Sequence, residues 1–205
     1  MSRIETIMRT SPVIPVIVAE GSLNPQAIAE AFVRGGLRVL EVTLRTPQAL
    51  DWIRAMSKVE GAIVGAGTVL NGNQLRAAVD AGSQFIVSPG LTDKLGHAAI
   101  EAAVPFLPGV ASAADIMRGL DMGLDRFKFF PAETSGGRPA LKALSGPFGD
   151  IRFCPTGGIT LDSAPDWLAM EPVLCVGGSW LLKKDDTDLA VIEERARAAA
   201  ALQTS

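Results

Sequence analysis

Short apolar runs alternate along the chain with longer segments that have helical periodicity. Eight such runs recur at intervals of about 19 to 26 residues, and each is rich in Val, Ile, Leu or Phe and bounded by turn residues. This pattern is typical of strands that are buried on both faces of a parallel sheet. The predicted strands are Val13–Val18, Val39–Thr43, Ala62–Ala66, Phe85–Ser88, Val104–Pro108, Arg126–Phe130, Arg152–Thr156 and Val173–Val176.

Helical patterns fill the segments between these runs. The clearest begins with Asn24 as the N-cap and Pro25 at the first helical position, and it ends at Gly35. The predicted helices are Pro25–Arg34, Pro47–Lys58, Asn73–Ala81, Thr92–Ala103, Ala113–Met122, Arg138–Leu144, Leu161–Leu168 and a terminal helix over about Thr187–Leu202.

Strict alternation of strands and helices predicts an α/β fold with a parallel sheet, because parallel neighbours need a crossover connection. Eight such units favour a single-domain (β/α)8 TIM barrel over residues 1–205, with Ser2–Arg9 as an extra N-terminal helix. An open doubly wound sheet is the alternative. Against it, no glycine-rich fingerprint of a dinucleotide-binding fold follows the first predicted strand.

Composition limits the class of protein and its partners. The chain has 205 residues, 48% of them apolar, and a net charge of −3 without a dense Lys/Arg run, so we expect no nucleic-acid partner. The first apolar run, Val13–Ala19, is too short to cross a bilayer and contains Pro15, so we expect no membrane partner either. Cys154 and Cys175 lie in apolar runs, which predicts buried, reduced thiols and a cytoplasmic protein.

Residue counts exclude several kinds of active site. His97 is the single histidine and the chain contains no tyrosine. Zinc sites with several histidines, Ser-His-Asp triads and tyrosine acids therefore cannot be built. His97 itself falls in a predicted outer helix, far from the strand ends, where we expect it to be exposed or to serve packing.

One lysine lies within a predicted strand. Lys128 is flanked by Phe127 and Phe129, whereas the other five lysines fall in predicted helices or turns. An apolar environment disfavours the charged ammonium, and a neutral amine is a nucleophile that forms a Schiff base with a ketone. The structural alternative is a lysine that extends to solvent from a strand end or pairs with a buried carboxylate.

Glu41 is the second candidate for chemistry. Period-two alternation places Glu41, Thr43 and Arg45 on one face of their strand, and we expect this face to line the barrel lumen. The same parity turns Lys128 inward, so the lysine and the glutamate can converge in one cavity. A carboxylate there is suited to proton transfer. A structural ion pair of Glu41 with Arg45 or Lys128 is equally consistent with the sequence.

Glycine is concentrated at the predicted strand ends. The turns Thr156-Gly157-Gly158 and Gly177-Gly178-Ser179 follow the seventh and eighth predicted strands, which is the usual phosphate-binding position of a (β/α)8 barrel. Backbone N–H groups in such turns bind a phosphate dianion without a lysine. The two turns together therefore predict a phosphorylated ligand.

The combination of these segments closely resembles the KDPG/KHG family of class I aldolases, which release pyruvate from 2-keto-3-deoxy-6-phosphogluconate in the Entner–Doudoroff pathway. The resemblance extends from the first predicted strand to the last. The matching segments are Pro12–Ile17, Leu40–Arg45, Val64–Asn71, Ser88–Thr92, Phe127–Glu133, Phe153–Ile159 and Cys175–Trp180.

The resemblance implies a role for each matching polar or glycine residue. Lys128 would be the Schiff-base lysine and Glu41 the general acid and base. Arg45 and Thr68 would bind the pyruvyl carboxylate, and Thr156 would influence the stereochemistry accepted at C4. The phosphate-binding residues would be Gly157, Gly158, Gly178 and Ser179.

The resemblance also implies the partners of the chain. The substrate would be a phosphorylated keto-sugar acid, with a side activity on 4-hydroxy-2-oxoglutarate. The protein would be a homotrimer that needs no metal and no cofactor. Three alternatives stay open: a phosphosugar isomerase or epimerase barrel without imine chemistry, a catalytically silent phosphosugar sensor, and a sister aldolase for the galacto epimer.

Overall fold

A computed structural model describes residues 2–202 of the chain. The strands are β1 Val13–Val18, β2 Val39–Thr43, β3 Ile63–Gly67, β4 Phe85–Val87, β5 Phe106–Leu107, β6 Gly109–Val110, β7 Arg126–Phe129, β8 Arg152–Pro155 and β9 Val176–Gly178. The helices are α1 Arg3–Met8, α2 Pro25–Arg34, α3 Ala49–Met56, α4 Gly72–Asp80, α5 Asp93–Glu101, α6 Ala113–Asp121, α7 Gly137–Ser145, α8 Ala164–Leu168 and α9 Leu189–Ala200. Within residues 2–202, none of these helices has the length and apolar character needed to span a membrane.

The strands pair in parallel and form a curled sheet. Six of them pair in the order β5-β4-β3-β2-β1-β9, and the other three pair as β6-β7-β8. The first five strands follow chain order, and β9 lies beside β1. A doubly wound sheet instead reverses its strand order beside the first strand. The pairing therefore excludes the doubly wound alternative, and the fold is a single α/β domain with a curled parallel sheet.

The fifth predicted strand, Val104–Pro108, differs most from the structure. The structure has the short strand β5 within this range and a second short strand, β6, directly after it, with Pro108 between them. β5 pairs with β4, and β6 pairs with β7 on the other side. Proline has no N–H to donate to a ladder, so the strand is interrupted at this residue. The carbonyl of Pro108 still accepts a bond of 2.8 Å from the backbone N–H of Lys128.

The last predicted strand is displaced along the chain. Val173–Val176 was expected, but β9 spans Val176–Gly178, and Val173 makes only an isolated bridge with Phe153. Gly177 and Gly178 pair with β1 instead of forming the predicted turn. Glycine has low strand propensity, so this pairing depends on the neighbouring strand and leaves no local signal.

Two apolar clusters lie on opposite faces of the sheet. The outer cluster, between strands and helices, contains Leu40, Val42, Phe127 and Phe129. The inner cluster comprises Ile4, Met8, Ile14, Val39, Phe85, Val87, Leu107, Cys154, Leu174 and Cys175. The division follows the predicted alternation along the second strand, with Leu40 and Val42 outward and Val39 inward.

Helix α1 covers one end of the inner cluster. Ile4 and Met8 are buried in that cluster. Glu5, which is also buried, accepts hydrogen bonds of 2.8 Å from the side chains of both Arg9 and Arg126. The bond from Arg9 and the bond from Arg126 hold the pKa of the Glu5 carboxyl below its ordinary value. Because Arg126 begins β7, this contact fastens the helix to the sheet.

Replacing Glu5 by Gln is expected to destabilise the protein at neutral pH by about 1–3 kcal/mol, because charge-assisted hydrogen bonds are lost. The pKa of Glu5 is lower in the folded state than in the unfolded state. Its stabilising contribution is therefore complete above the unfolded pKa and is lost as the pH falls through the folded pKa. Denaturant unfolding of wild type and variant at about pH 7 and about pH 3 measures the difference.

Glu101→Gln is the control for this prediction, since Glu101 is an exposed helical carboxylate and takes part in no ion pair within residues 2–202. It is expected to leave stability nearly unchanged at both pH values. A Glu5→Gln deficit of the same size at both pH values contradicts the assignment.

Candidate active site

Lys128 and Glu41 meet inside the curled sheet. Lys128 Nζ lies 3.0 Å from Glu41 Oε1 and 3.4 Å from Oε2. Lys128 is 5% exposed and Glu41 3%, whereas the other five lysines are all exposed. The convergence that strand parity predicts is therefore present. The structural alternative of a buried ion pair is present at the same time.

The sequence predicted that Phe127 and Phe129 give the Lys128 amine an apolar environment, but the structure places other groups around it. Phe127 and Phe129 point into the outer cluster, away from Nζ. The aromatic neighbour is Phe130, whose ring centroid lies 5.4 Å from Nζ, within range of a cation–π contact. The main compensation for the ammonium is the carboxylate of Glu41. This carboxylate is also close enough to accept a proton from the amine.

Gly67 provides the space that the Glu41 carboxylate occupies. A Cβ atom on Gly67 would overlap Oε1 of Glu41 and would lie only 2.7 Å from its Cγ and Cδ atoms. Gly67 ends β3, opposite Thr43 in the ladder with β2. Sequence analysis did not single out this glycine. Its importance follows from the register of the two strands, which the local sequence does not contain.

Thr68 follows directly at the end of β3. Its φ is 57°, in the left-handed region that a β-branched residue rarely adopts. Such a conformation costs about 1–3 kcal/mol, and strained residues of this kind cluster at functional sites. Thr68 is partly buried. Its position beside the end of β2 is consistent with a ligand-binding role.

Arg45 was predicted to point into the barrel lumen, but it lies at the surface. β2 ends at Thr43, so the alternation that was expected to aim Arg45 into the lumen stops two residues earlier. Arg45 is exposed in the following turn and lines a surface cleft with Glu20 and Lys184. Lys184 pairs with Glu20 at 3.6 Å, while Arg45 has no ion-pair partner within residues 2–202. Thr43 is fully buried and donates its hydroxyl to the carbonyl of Ile17 at 2.9 Å.

The Gly157-Gly158 turn lies beside β9, which contains Gly177 and Gly178. Thr156 makes an isolated parallel bridge with Gly177, and its side chain fills the space beside that glycine. Gly157 and Gly158 have φ values of 106° and 81°, which glycine adopts without strain.

Several backbone N–H groups in the Gly157-Gly158 turn and directly after β9 have no hydrogen-bond acceptor within residues 2–202. Those of Gly157, Gly158 and Ser179 donate to no acceptor in the described part of the chain. Gly178 is buried against the ring of Trp180. Adjacent free N–H groups in glycine turns form an anion-binding concavity.

The remaining candidates lie apart from this site. His97 is exposed on α5, and its Nδ1 lies 2.8 Å from the Asp93 carbonyl. Cys154 and Cys175 are free and buried, as predicted. Burial raises the pKa of the Cys175 thiol, and the neighbouring Cys154 raises it further, which keeps the thiol protonated in the core. In the part of the chain that the structure describes, no group of three His, Cys, Asp or Glu side chains is arranged to hold a metal.

The chain is similar to known proteins in both sequence and fold. The chain is 55% identical to the 2-dehydro-3-deoxy-phosphogluconate aldolase of Zymomonas mobilis over 203 residues, which covers 99% of this chain and 98% of the relative. A crystal structure of the Zymomonas mobilis 2-keto-3-deoxy-6-phosphogluconate aldolase with 3-phosphoglycerate superposes with a TM-score of 0.97 at 55% identity, covering 99% and 97% of the two chains. A KDPG aldolase from Legionella pneumophila, with pyruvate captured as a covalent carbinolamine, gives 0.93 at 41% identity, covering 98% and 99%.

The curled parallel sheet and its buried lysine–carboxylate pair are typical of an α/β enzyme in which an amine and a carboxylate share one site. The family model described as KDPG and KHG aldolase matches residues 4–195. The chain belongs to the KDPG and KHG aldolase family, and it is a carbon–carbon lyase. Family membership therefore favours an aldolase over the phosphosugar isomerase and sensor alternatives.

Gly67→Ala is expected to lower the rate of aldol cleavage about 10- to 100-fold, because the added methyl group displaces the Glu41 carboxylate from Lys128. Steady-state kinetics of pyruvate release measure the effect, and circular dichroism checks that the fold is retained. Gly72→Ala is the matched control, since a Cβ there meets its nearest neighbour, Ala98 Cβ, at an ordinary 3.5 Å. Wild-type kinetics in a folded Gly67→Ala protein would refute the steric assignment.

Proposed function

We propose that this protein is a class I aldolase that cleaves 2-keto-3-deoxy-6-phosphogluconate to pyruvate and glyceraldehyde 3-phosphate in the Entner–Doudoroff pathway. The observation that carries the proposal is the buried contact of 3.0 Å between Lys128 Nζ and Glu41 Oε1. The 55% identity with the Zymomonas mobilis aldolase, over nearly the whole of both chains, supports the choice of substrate.

Lys128 is the proposed nucleophile. When substrate enters, Glu41 accepts a proton from the ammonium, and the neutral amine adds to the C2 ketone to give a carbinolamine. Loss of water then gives a protonated imine. The cationic imine nitrogen is an electron sink, which serves the purpose that a metal serves in other aldolases. The carbinolamine of the Legionella pneumophila relative supports this sequence of steps.

Glu41 is the proposed acid and base of the remaining steps. A base removes the proton of the C4 hydroxyl, the C3–C4 bond breaks, and its electron pair moves toward the imine nitrogen. The products of this step are glyceraldehyde 3-phosphate and an enamine of pyruvate. Glu41, directly or through a water molecule, exchanges these protons and returns one to C3 of the enamine. Hydrolysis of the imine releases pyruvate and restores Lys128.

The two anionic ends of the substrate require separate binding groups. We assign the pyruvyl carboxylate to Arg45 and Thr68, because Arg45 is a cation free of an ion-pair partner in residues 2–202 and Thr68 is held in a strained conformation at a strand end. We assign the phosphate to the Gly157-Gly158 turn and the end of β9, where free N–H groups suit a dianion. This phosphate site comprises Gly157, Gly158, Gly178 and Ser179. Thr156, at the base of the first turn, is assigned an influence on the C4 stereochemistry.

We further propose that the two sheets are parts of one closed (β/α)8 barrel, formed by the described residues 2–202 as a single domain with α1 as an extra helix at its base; residues 1 and 203–205 of the predicted domain lie outside the described residues. Only Pro108 separates β5 from β6, which supports continuity on one side. On the other side, the isolated bridges Phe153–Val173 and Thr156–Gly177 connect β8 with the segment that contains β9.

The assembly and location of the protein are proposed on the same basis. A homotrimer is the state implied by the family resemblance, and the exposed apolar side chains of Ile100, Met117 and Leu120 on α5 and α6 offer a contact surface. The free, buried thiols of Cys154 and Cys175 are consistent with the cytoplasm.

Cleavage of 4-hydroxy-2-oxoglutarate is a second proposed activity. The matching family model names both the KDPG and the KHG aldolase. The chemistry at Lys128 and Glu41 is the same for both substrates, since each is a 2-keto-4-hydroxy acid. The two substrates differ at the end that faces the glycine turns.

Pyruvate and borohydride together are expected to modify Lys128 irreversibly, because borohydride reduces the imine to a stable amine. Peptide mass spectrometry locates the adduct. Lys128→Arg is the matched variant, since arginine keeps a cation beside Glu41 but forms no imine. A variant with no cation at this position would leave the buried Glu41 carboxylate unpaired, which would lower the free energy of unfolding by about 3–5 kcal/mol. An adduct on another lysine, or none in the wild type, refutes the proposed function.

Glu41→Gln is expected to slow cleavage about 10²- to 10⁴-fold while the fold is retained, because the amide has the same shape but cannot exchange the protons. Single-turnover kinetics of pyruvate release measure the loss. Glu60→Gln, at an exposed carboxylate, is the control and is expected to keep the wild-type rate. A Glu41→Gln protein as fast as wild type would remove Glu41 from the mechanism.

A further inference from the structure

The turn at Gly157 and Gly158 rests on the segment that follows β7. The backbone N–H of Ala132 donates to the Thr156 carbonyl at 2.8 Å, and that of Glu133 donates to the Gly157 carbonyl at 3.1 Å. The side chain of Glu133 also packs against Gly158, because a Cβ on this glycine would lie 2.8 Å from both Cβ and Cγ of Glu133. The stem of Glu133 therefore sets how closely the turn can approach the end of β7.

The head of the same side chain is fastened to the helix beyond the turn. Glu133 Oε1 accepts a hydrogen bond of 2.9 Å from Trp167 Nε1. Trp167 lies in α8, which follows the Gly157-Gly158 turn along the chain, and it is 1% exposed. Its ring packs against Phe129 of β7 with centroids 6.3 Å apart. The donor is therefore a tryptophan that is packed in the interior.

We propose that Glu133 is a positioning residue that holds the Gly157-Gly158 turn in place for the phosphate of the substrate. Glu133 contacts the turn through its backbone and its stem, and it contacts α8 through its carboxylate. The turn lies between these two attachments and is built from glycines with positive φ, which have little conformational restraint of their own. Restraint from Glu133 keeps the free N–H groups of the turn in one arrangement before the phosphate arrives.

This role of Glu133 rests on the proposed aldolase function, but the aldolase function does not by itself require it. The carboxylate acts as a hydrogen-bond acceptor for Trp167, so its negative charge is not required. A negative charge beside a phosphate site is unfavourable in itself. An uncharged side chain of the same shape that accepts the bond from Trp167 is therefore expected to position the turn as well as Glu133 does.

The test compares two substrates and two variants. For Glu133→Ala, we expect KM for 2-keto-3-deoxy-6-phosphogluconate to rise about tenfold, which is the size of effect expected when one hydrogen bond that supports the turn is lost. The concentration of pyruvate that gives half-maximal borohydride trapping is expected to stay unchanged, since pyruvate has no phosphate. Glu133→Gln is expected to restore KM, because its amide oxygen accepts the same bond from Trp167.

Asp166→Ala is the matched control. Asp166 neighbours Trp167 on α8 and forms an exposed ion pair of 2.8 Å with Arg138, so the variant perturbs the helix without touching Glu133. It is expected to keep the wild-type KM. Trp167→Phe removes the donor and is expected to raise KM, with no additional rise when it is combined with Glu133→Ala.

The inference would be overturned by an unchanged KM in Glu133→Ala, by an equal loss of pyruvate affinity in that variant, or by a rise in KM of similar size in Asp166→Ala. A Glu133→Gln protein as impaired as Glu133→Ala would also overturn it, since the charge would then be essential. A wild-type protein that traps no pyruvate would refute the aldolase function itself, which is a separate outcome.

Discussion

The ion pair between Lys128 and Glu41 is the interaction on which the rest of the structure depends. Its two charges are almost completely removed from water, which costs several kcal/mol per ion unless they pair closely. Glu41 belongs to β2 in the six-stranded sheet and Lys128 to β7 in the three-stranded sheet. The pair therefore joins the two sheets across the interior, and it forms only where the sheet curls enough to bring these strands face to face.

The same pair provides a way for the proposed nucleophile to lose its charge without a large electrostatic penalty. Transfer of one proton from Nζ to the carboxylate converts two charges into two neutral groups, so no net charge enters or leaves the interior. The apolar inner cluster lies on the same face of the sheet as the pair. Gly67 fixes where the carboxylate lies, since no side chain fits between it and the strand.

Local sequence predicted the features that depend on local physics. The bounds of Val13–Val18, Val39–Thr43 and Pro25–Arg34 match the structure, because apolar runs and a proline-assisted N-cap define them. Strand parity likewise predicted that Lys128 and Glu41 face each other. The break at Pro108 was not predicted, because it lies where the chain changes its pairing partner from β4 to β7. The exposure of Arg45 was not predicted, because the period-two alternation was extended two residues beyond Thr43, where β2 ends. Strand pairing is a long-range property that a single sequence does not display.

The two ends of the candidate site differ in the sequence signal that they leave. At the lysine end, the proposed chemistry depends on side chains, so an ionisable residue within an apolar strand identifies it. At the proposed phosphate end, the binding groups would be backbone N–H donors, which every residue except proline possesses. Only the glycines that allow close approach mark this end, and glycine pairs are common in ordinary turns. The contact between Glu133 and Trp167 gives no signal in the local sequence, because the partners are 34 positions apart and neither one is proposed to bind the ligand. A supporting contact of this kind becomes recognisable only when the fold has brought its two residues together.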